Sequence, residues 1–515
     1  MYKEVELRVT PEEACDKEKI LYLLVRTLHV ERVRIKHTEV IKKSIDARQR
    51  RVMMQLKLGV FIDEVEQRER QFIPMYKDVS KARPVVVVGA GPAGLFAALR
   101  LIEKGLRPIV LERGKSVEER KKDLNQLYKT GSVNMDSNYG FGEGGAGTFS
   151  DGKLFTRSKK RGNVNRILEI LVYHGASESI LIDAHPHIGT DKLPGVIVNI
   201  RKTIERYGGE VRFNSRVKDI LIEENKMKGV LIDEGEVLAD RVILATGHSA
   251  RDVYRMLQAR SVLMLTKEFA VGLRLEHPQE VIDRIQYHNP AGRGDFLPAA
   301  EYSFVTNING RGVYSFCMCP GGVVVPACTG PEQQVVNGMS SSGRNTAWAN
   351  SAIVTSIGEE ELKELRYTGL FGGMEFQSDL EYRAWEEGGG KLVAPAQRLT
   401  HFMVNKESVS FPKSSYKPGL RPTLFREWLP SPVYRRLLAG LEQFGRKSRG
   451  FIHEDALLLG VETRTSAPVR IPRLPERMVH PEIEGLYPCG EGAGYAGGIV
   501  SAAMDGEGCV DVFTL

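Results

Sequence analysis

The sequence predicts an α/β protein whose largest domain is built on a parallel β-sheet. Residues 85–88 are four consecutive valines, and such a β-branched run suits a parallel strand that is buried on both faces. A G-x-G-x-x-G pattern formed by Gly89, Gly91 and Gly94 follows directly, and a second apolar run occupies residues 108–111. This order of strand, glycine turn, helix and strand predicts the βαβ unit of a Rossmann-like domain.

Each glycine of this turn has its own physical task. Gly89 permits the tight turn, Gly91 lets a pyrophosphate approach the backbone, and Gly94 lets the helix pack closely against the strand. Glu112 ends the second strand. This is about the distance past the glycines at which a carboxylate reaches a ribose hydroxyl, and an acid at this position disfavours a 2′-phosphate. These agreeing signals predict a bound dinucleotide rather than an ordinary glycine-rich turn.

The composition is that of a globular protein with several domains. Hydrophobic residues make up 42% of the 515 residues and charged residues 27%, both close to globular averages. No apolar stretch approaches the length needed to span a bilayer, and residues 1–7 lack the apolar core of a signal peptide. We therefore expect a cytoplasmic protein that has no membrane partner.

The six cysteines include no C-x-x-C pair, which argues against a redox disulfide of the thioredoxin or glutathione-reductase type. Cys317 and Cys319 are spaced to share one face of a strand. A metal site would need two further ligands, and no partner motif supplies them. We expect these two residues to be buried structural thiols, and we expect no metal site in the chain.

Residues 1–82 precede the βαβ unit and are expected to form a separate α+β module. Thr10 and Glu13 form a capping box before a helix that should run to about residue 28. The predicted strands of the module lie at residues 3–9, 39–45 and 51–62. Residues 63–83 are highly charged at first and then contain proline, which indicates a linker or strap into the next domain.

The N-terminal module carries most of the excess positive charge. Residues 1–83 contain 19 Lys and Arg against 14 Asp and Glu, a difference of +5 out of +7 for the whole chain. Because the basic residues are interleaved with acids, a solvated face is favoured over a nucleic-acid-binding patch. Nucleic acid stays open as an alternative partner.

A glycine-rich loop at residues 137–154 is expected to contact the nucleotide. Six glycines fall between residues 140 and 152, which disfavours helix and strand and leaves backbone N–H groups available to phosphates or a flavin ring. The aromatic residues inside the loop favour docking over a flexible linker.

Residues 185–187 form a His-Pro-His sequence that allows three interpretations. On a strand the two imidazoles would share a face, as in some metal sites, but the additional His and Asp ligands of such sites are missing. The imidazoles could instead lie near a substrate or flavin, or they could be structural.

Residues 196–262 complete the expected nucleotide-binding domain. A helix (196–207), a strand (210–214) and a three-stranded meander (217–222, 227–232 and 236–238) precede a buried strand that ends at Thr246 and Gly247. This layout is similar to that of glutathione-reductase-type FAD domains, in which the end of that strand passes beneath the nucleotide.

Residues 263–450 have long alternating runs and no second βαβ unit. We expect an inserted substrate domain there, built on a mixed or antiparallel sheet with helices, one of them near residues 345–357. Residues 338–342 do not match the nucleophile elbow of hydrolases.

The C-terminal segment repeats the glycine pattern at Gly492, Gly494 and Gly497. Only 18 residues follow Gly497, too few for a second βαβ unit and its ribose-binding acid. We therefore predict a strand end followed by a helix whose N-terminus faces an anionic group, such as a flavin or a pyrophosphate.

Together these segments resemble the bacterial family of FAD-dependent dehydrogenases, or NAD(P)/FAD-dependent oxidoreductases, in the two-domain branch of the glutathione-reductase-type flavoprotein superfamily. The resemblance rests on the sequences at 141–154, 183–187, 316–322, 464–470 and 488–498. It implies FAD as the cofactor, with Glu112 on the adenosine ribose and Glu491 on the flavin side. It also implies that any NAD(P)H docks transiently, because the chain lacks the NAD domain of the disulfide reductases.

The resulting prediction is a FAD-dependent oxidoreductase, a dehydrogenase or reductase, that acts on a small molecule. Its domains are expected at residues 1–82, at 83–262 with 451–515 for FAD, and at 263–450 for the substrate. The alternatives are an FAD-dependent RNA-modifying or RNA-binding protein and a flavin-dependent monooxygenase.

The candidate catalytic residues are Lys153, His185, His187 and Arg464. The candidate FAD-binding residues are Gly89, Gly91, Pro92, Ala93, Gly94, Glu112, Arg113, Gly144, Gly145, Ala146, Gly147, Thr148, Ser150, Asp151, Gly152, Val217, Thr246, Gly247, Gly490, Glu491, Gly497, Gly498 and Ile499.

Overall fold

The computed structural model of the protein describes residues 1–63, 72–156 and 162–514. The N-terminal part contains β1 (Tyr2–Val9), α1 (Pro11–Cys15), α2 (Lys17–Leu28), β2 (Ile35–Asp46) and β3 (Met53–Ile62). The three predicted strands are present and form an antiparallel sheet, in the order β1-β3-β2. The expected single helix is divided at Asp16, because its carboxylate accepts hydrogen bonds from the backbone N–H groups of Glu18 and Lys19 and begins a second helix.

The remaining elements follow in chain order. Residues 84–259 contain β4 (Pro84–Val88), α3 (Pro92–Glu103), β5 (Arg107–Leu111), α4 (Val117–Thr130), α5 (Val164–Tyr173), α6 (Leu193–Arg206), β6 (Glu210–Arg212), β7 (Asp219–Glu223), β8 (Lys226–Ile232), β9 (Gly235–Leu238), β10 (Val242–Leu244) and α7 (Arg251–Ala259). Residues 265–364 contain β11 (Leu265–Thr266), β12 (Phe269–Pro278), α8 (Gln279–Gln286), β13 (Val305–Ile308), β14 (Arg311–Cys319), β15 (Gly322–Pro326), β16 (Val336–Ser340), β17 (Trp348–Ile357) and α9 (Glu359–Glu364). Residues 372–511 contain α10 (Gly372–Glu387), β18 (Ala394–Arg398), α11 (Leu399–Met403), β19 (Leu420–Pro422), α12 (Phe425–Trp428), α13 (Ser431–Lys447), β20 (Leu457–Glu462), β21 (Val469–Arg470), β22 (Leu486–Pro488) and α14 (Ile499–Asp511).

A five-stranded parallel sheet, in the order β22-β10-β4-β5-β6, forms the centre of the nucleotide-binding fold. Its central strand is buried on both faces, as the run of valines predicts. Val85 and Val87 pack in a core with helices α3, α5, α6 and α14, whereas Val86 and Val88 pack with the β7-β8-β9 meander on the other face. The Rossmann-like fold is thus confirmed, and β4, α3 and β5 are its βαβ unit.

A seven-stranded mixed sheet forms the second large layer, in the order β13-β14-β17-β12-β20-β18-β19. Neighbouring strands are antiparallel except for the parallel pair β18 and β19. Helix α13 packs against several of its strands. Phe444 of α13 stacks on Phe304, which also meets Phe451 edge to face in the same core. The expected mixed sheet with helices is therefore confirmed.

The prediction of a helix near residues 345–357 is wrong. Residues Trp348–Ile357 form β17, which pairs with β12 along its whole length and with β14 on its other side. The small residues Ala349, Ser351 and Ala352 are compatible with a helix, but here they are buried between two neighbouring strands. Pairing on both edges outweighs their local preference.

Strand β20 extends the mixed sheet beyond residue 450. It lies between β12 and β18 and pairs with both. Residues 457–462 therefore lie in the seven-stranded sheet, although the sequence-based division assigns residues 451–515 to the nucleotide-binding domain. The division into three domains stays a proposal, with its last boundary moved past β20.

The N-terminal module docks on the loop that precedes the two histidines. In β2, the backbone N–H of Lys43 donates to the carbonyl of Ile182, and its carbonyl accepts from the N–H of Ala184, at 2.8 and 3.0 Å. Leu297 packs against the module and against the core of the mixed sheet. The module thus supports residues 182–184 from outside.

The expected linker at residues 63–83 lies partly outside the described residues. From residue 72 onward it packs on the nucleotide-binding fold, with Phe72 and Tyr76 against the helical core and the N–H of Val79 bonded to the carbonyl of Tyr207 at 2.8 Å. Within the described ranges, no helix combines the length and apolar composition required to cross a membrane.

Replacing Gly94 with Ala should destabilise the protein, because the added Cβ would overlap the carbonyl oxygen of Gly89. We expect the free energy of unfolding to fall by about 2 kcal/mol or more, measured as a lower Tm of the cofactor-free protein. Gly195→Ala on α6 is the matched control, because no atom lies within 4 Å of its added Cβ and a helix favours alanine there. Equal Tm values for the two variants would contradict the close packing of α3 on the turn.

Candidate active site

In the glycine turn after β4, packing fills the space beside Gly89 and Gly94, whereas the space beside Gly91 is open. A Cβ on Gly89, which has φ of +104°, would lie 2.5 Å from the carbonyl oxygen of Ala245. A Cβ on Gly91 would meet nothing nearer than the Cα of Gly145, at 3.9 Å. Gly91 is therefore not required by packing, and the space beside it fits a phosphate at the N-terminus of α3.

The carboxylate of Glu112 is buried behind this turn. It accepts hydrogen bonds from the backbone N–H groups of Ala90, Gly114 and Gly142, at 2.8, 2.9 and 3.0 Å. A carboxylate offers about four acceptor positions, so roughly one is left for a ribose hydroxyl. Glu112 thus fits its proposed role and also ties the turn to the glycine-rich loop.

The glycine-rich loop lies directly against the turn. The N–H of Gly144 donates to the carbonyl of Ala90 at 2.8 Å, and a Cβ on Gly145 would lie 3.2 Å from the Cα of Gly91. Gly147 lies against Ile499 and Pro92. The loop therefore contacts both helix N-termini that could face the cofactor, as the sequence predicts for a docked loop.

Several polar groups of the loop are bonded within the protein. The hydroxyls of Thr148 and Ser150 donate to the carbonyls of Glu143 and Gly147, both at 2.7 Å. Ala146 and Gly152 complete the loop without polar side chains. Contacts from this segment to a cofactor would therefore come mainly from backbone groups.

Two further candidate FAD-binding residues, Arg113 and Val217, lie near Glu112. Arg113 pairs with Asp136 and Asp252, and its guanidinium lies 4.2 Å from the ring centre of Phe141. Val217 is buried in the same core as Phe141. These residues form a packed wall next to Glu112.

The C-terminal glycines open onto the same region. Added Cβ atoms on Gly247, Gly497 and Gly498 would meet no atom within 4 Å. Helix α14 begins at Ile499 without a side-chain cap, so its first N–H groups and its positive dipole end are available to an anion. Thr246, which precedes Gly247, lies two residues after the end of β10.

Gly490 and Glu491 are both fixed by contacts within the protein. The N–H of Gly490 donates to the carboxylate of Asp505 at 2.8 Å, and Arg473 pairs with the same carboxylate. Glu491 lies 3.1 Å from the Nδ1 of His248. Asp505 also lies within 4.8 Å of two cysteine sulfurs, but the Arg473 guanidinium already occupies its carboxylate.

Comparison with known proteins identifies this arrangement. Residues 83–260 match the model of the pyridine nucleotide-disulphide oxidoreductase family, and residues 268–465 match the model of the FAD-dependent protein, C-terminal domain-like family. Residues 1–61 match a domain of unknown function. An uncharacterized protein of Clostridium beijerinckii is 42% identical over 503 residues, which cover 94% of this chain and 93% of that protein.

The chain therefore belongs to a family of FAD-dependent proteins, whose two large segments match these two models. It is an oxidoreductase-type flavoprotein, and FAD is its cofactor. The glycine turn, Glu112, the glycine-rich loop and the α14 N-terminus are the residues that fit FAD in this structure.

Solved structures of flavoproteins show weaker similarity. CtdE in complex with FAD has a TM-score of 0.31 at 12% identity, with 83% of each chain covered. The tetracycline destructase Tet(51) has a TM-score of 0.31 at 13% identity, over 83% of this chain and 79% of that one. Glycine oxidase from Bacillus cereus has a TM-score of 0.30 at 12% identity, over 84% and 94%. Similarity at this level carries no information on the reaction of the chain.

Three of the four candidate catalytic residues lie on one paired segment of this flavoprotein. Lys153 and His187 face each other in a short antiparallel bridge, which continues as hydrogen bonds from Leu154 to Pro186 and from Ile188 to Gly152, at 2.9 and 3.1 Å. The ammonium group of Lys153 donates to the carbonyl of Met318. The glycine-rich loop thus reaches β14 of the mixed sheet.

The two histidines have different surroundings. The Nε2 of His187 lies 3.2 Å from the carbonyl of Ser342, and burial, helped by the positive charge of Arg344, lowers the pKa of His187. His185 is more exposed and bonds to Glu301, and that hydrogen bond raises the pKa of His185. The imidazoles therefore do not converge on one ligand, and no group of three metal-ligand side chains within the described residues includes either.

Asp151 joins this segment to the mixed-sheet side. Its carboxylate is buried, accepts from the hydroxyl of Ser340 and pairs with Arg344, with Arg344 Nη2 at 2.6 Å. Asp151 is thus a structural anchor between the loop and β16, rather than a group that is free to contact FAD.

Arg464, the fourth candidate, lies apart from the other three. Its guanidinium bonds to both oxygens of Glu381, at 3.0 and 2.9 Å, and to Thr329 and Gln333. Burial acts to raise the pKa of Glu381, but Arg251 and Arg464 outweigh it and hold that pKa at about 2. Because four of its five N–H donors are used, we assign Arg464 a structural role.

Glu301, Arg344 and Cys317 are the residues near Lys153 that sequence reasoning missed as site residues. Glu301 and Arg344 lie outside any motif, and only the fold brings them beside the histidines. Cys317 stands in a recognised segment, and the signal that could have singled it out is its neighbour Cys319 two positions on.

Replacing Gly91 with Ala should leave the cofactor-free protein as stable as before, because its Cβ would meet only Gly145 at 3.9 Å. The same methyl group would occupy the space beside the pyrophosphate, so we expect FAD affinity to fall by about tenfold or more, equivalent to 1.4 kcal/mol. Equilibrium titration of the apoprotein with FAD, followed by flavin fluorescence, measures this. Unchanged affinity would show that the pyrophosphate does not lie on this turn.

Proposed function

We propose that the chain transfers electrons between FAD and a small molecule that binds between the nucleotide-binding fold and the seven-stranded sheet. The supporting observation is the continuous path of the glycine-rich loop. Residues 144–147 lie on the FAD-binding turn, and residues 151–153 bond to β16 and β14. The side chains that leave this loop toward the mixed sheet are thus within a few residues of the cofactor.

His187 is suited to accept a proton from such a substrate. A carbonyl only accepts hydrogen bonds, so the contact to Ser342 requires a proton on Nε2 of His187. Its lowered pKa keeps the ring neutral at neutral pH, which leaves Nδ1 unprotonated and able to act as a base.

Lys153 is suited to orient an anionic group. Its ammonium group has three donors and uses one of them on Met318. FAD supplies the acceptance or donation of a hydride when it is bound. The residues of the chain would hold the substrate, move the proton and exclude water.

NAD(P)H is proposed as a transient reductant only. The βαβ unit β4-α3-β5, the one in the described residues whose turn carries the G-x-G-x-x-G pattern between two parallel strands, would be occupied by FAD. A tight nicotinamide complex that forms before any flavin reduction would contradict this assignment.

The RNA-binding alternative receives less support from the N-terminal module. Six of its cations pair with acids of the same module, which reduces the field that a phosphate backbone would meet there. The pairs are Arg8–Asp46, Lys19–Glu13, Arg32–Glu18, Arg34–Asp63, Arg48–Asp46 and Lys57–Glu4. The module also supports residues 182–184, next to the histidines, which suits a role in shaping the pocket.

The variants Lys153→Met and His187→Ala test the pocket. The FAD-loaded protein is mixed anaerobically with a panel of hydroxy acids, amines, thiols and NADPH, and the photoreduced protein with quinones and disulfides. For the compound that reacts, we expect each variant to retain FAD and to react about tenfold more slowly or worse.

Lys129→Met, an exposed position on α4, is the matched control and should react at the original rate. Equal rates for all three variants would contradict the assignment of the pocket. A protein that binds FAD and reacts with no member of the panel would contradict the proposed enzyme function.

A further inference from the structure

Residues 490–498 form the flavin loop, which ends at the start of α14 and opens onto the expected position of the flavin ring. The backbone N–H of Ile471 donates to the carbonyl of Ala493 at 3.3 Å. The backbone N–H of Arg473 donates to the hydroxyl of Tyr495 at 3.1 Å. Both donors lie just after β21, where the chain returns from the mixed sheet. The returning chain therefore holds the flavin loop along one side.

The side chain of Arg473 joins the flavin loop to the elements on either side of it. Its guanidinium donates to the carbonyl of Pro488, the last residue of β22, at 2.8 Å. It also donates two hydrogen bonds to the carboxylate of Asp505 on α14, at 2.9 and 2.5 Å. The guanidinium carbon lies 3.8 Å from the centre of the Tyr495 ring, within the range of a cation–π contact. One side chain, only 7% exposed, thus contacts the strand before the loop, the loop itself and the helix after it.

Asp505 extends this contact to the glycine turn. Its carboxylate accepts a hydrogen bond from the backbone N–H of Gly490 at 2.8 Å, so the first residue of the flavin loop is bonded to the helix that follows the loop. An added Cβ on Gly490 would lie 3.0 Å from the Cβ of Ala93, and one on Gly506 would lie 2.1 Å from the carbonyl oxygen of Ala93. Helices α14 and α3, whose N-termini both fit FAD, are therefore in close contact at the same place.

Neither metal binding nor stability explains why a buried charge pair lies here. Asp505 and the sulfurs of Cys489 and Cys509 lie within 4.8 Å of one another, but Arg473 bonds to both oxygens of the carboxylate. A buried ion pair returns about as much free energy as its removal from water costs. A guanidinium bound to a carboxylate by two hydrogen bonds does fix the orientation of both groups. The effect of this pair is therefore one of position.

The position of the α14 N-terminus matters more for reduced FAD than for oxidised FAD. At neutral pH the reduced flavin ring carries a negative charge that the oxidised ring lacks. The free N–H groups and the positive dipole end of a helix favour such a charge, and the effect is confined to the first turn. Donors that are held in place before the charge develops also avoid the cost of reorganisation. A residue that fixes the start of α14 can therefore alter the reduction potential of the flavin.

We propose that Arg473 is a positioning residue for the flavin, which holds the flavin loop and the α14 N-terminus in place so that they stabilise reduced FAD and raise its reduction potential. Arg473 acts through Asp505, Gly490 and Tyr495. The proposal rests on the placement of FAD beside the flavin loop, which the proposed function shares, and it is independent of the substrate.

The variants Arg473→Met and Asp505→Asn test this role. The midpoint potential of the bound FAD is measured by slow anaerobic reduction together with a reference dye of known potential. We expect Arg473→Met to weaken the binding of reduced FAD about tenfold more than that of oxidised FAD, which makes the midpoint more negative by about 30 mV. Asp505→Asn has nearly the same shape and keeps an oxygen for the N–H of Gly490, so it tests the charge pair even if Arg473→Met does not fold. It should shift the potential in the same direction. Arg473→Lys keeps the positive charge and should show a smaller shift than Arg473→Met.

Arg166→Met is the matched control. Arg166 pairs with Glu507 of α14 and Glu103 of α3, at 3.0 and 2.5 Å, so this variant also removes an arginine that joins the two helices, but one without a contact to the flavin loop. It should lower the Tm of the protein and leave the midpoint potential unchanged.

A purely structural role for Arg473 would lower the Tm and weaken both oxidation states of FAD equally. An unchanged potential in Arg473→Met or in Asp505→Asn, or an equal shift in Arg166→Met, would therefore overturn the proposal. The potential is measured without any substrate. The expected shift in a protein that reacts with no compound of the panel would support the role of Arg473 and contradict the proposed function alone.

Discussion

The buried carboxylate of Glu112 is the contact on which the cofactor site depends. It binds the backbone of the glycine turn, of the end of β5 and of the glycine-rich loop at once. A buried charge of this kind is tolerated only because backbone donors satisfy it. The same three hydrogen bonds fix where the loop starts, and therefore where residues 151–153 meet the mixed sheet. The cofactor site and the proposed pocket are thus set by one side chain.

The junction between the two large sheets is held by buried charges. Arg251 and Arg464 share Glu381, and Arg344 pairs with Asp151, in each case across elements that are distant in sequence. Such pairs contribute little net stability, because removing the charges from water costs about as much as their attraction returns. Their effect is positional: a partner out of place would leave a buried charge unpaired. The junction is therefore well suited to hold a flavin and a substrate in a fixed relation.

The parts of the fold that could be predicted are those determined by local pattern. The valines of β4 specify a strand buried on both faces, and the capping box at Thr10 and the α6 helix follow from short-range signals. The segment at residues 345–357 could not be predicted, because its Ala and Ser residues are compatible with a helix and only pairing with β12 and β14 decides for a strand. The role of Arg464 in the site could not be predicted from the sequence either. Its motif marks it as unusual, but only the fold reveals that its donors are used by Glu381, Thr329 and Gln333, and that Glu301 and Arg344 stand beside the histidines instead.

We propose that FAD lies across the glycine turn, with its flavin ring between the α14 N-terminus and the loop that carries Lys153. A crystal structure of the FAD-loaded protein tests this placement. We expect the pyrophosphate beside Gly91, a ribose hydroxyl on Glu112, and the ring next to Gly497 and Gly498 with one face open toward Lys153 and His187. A flavin ring placed away from residues 144–153, or with Lys153 and His187 shielded from it, would contradict this placement.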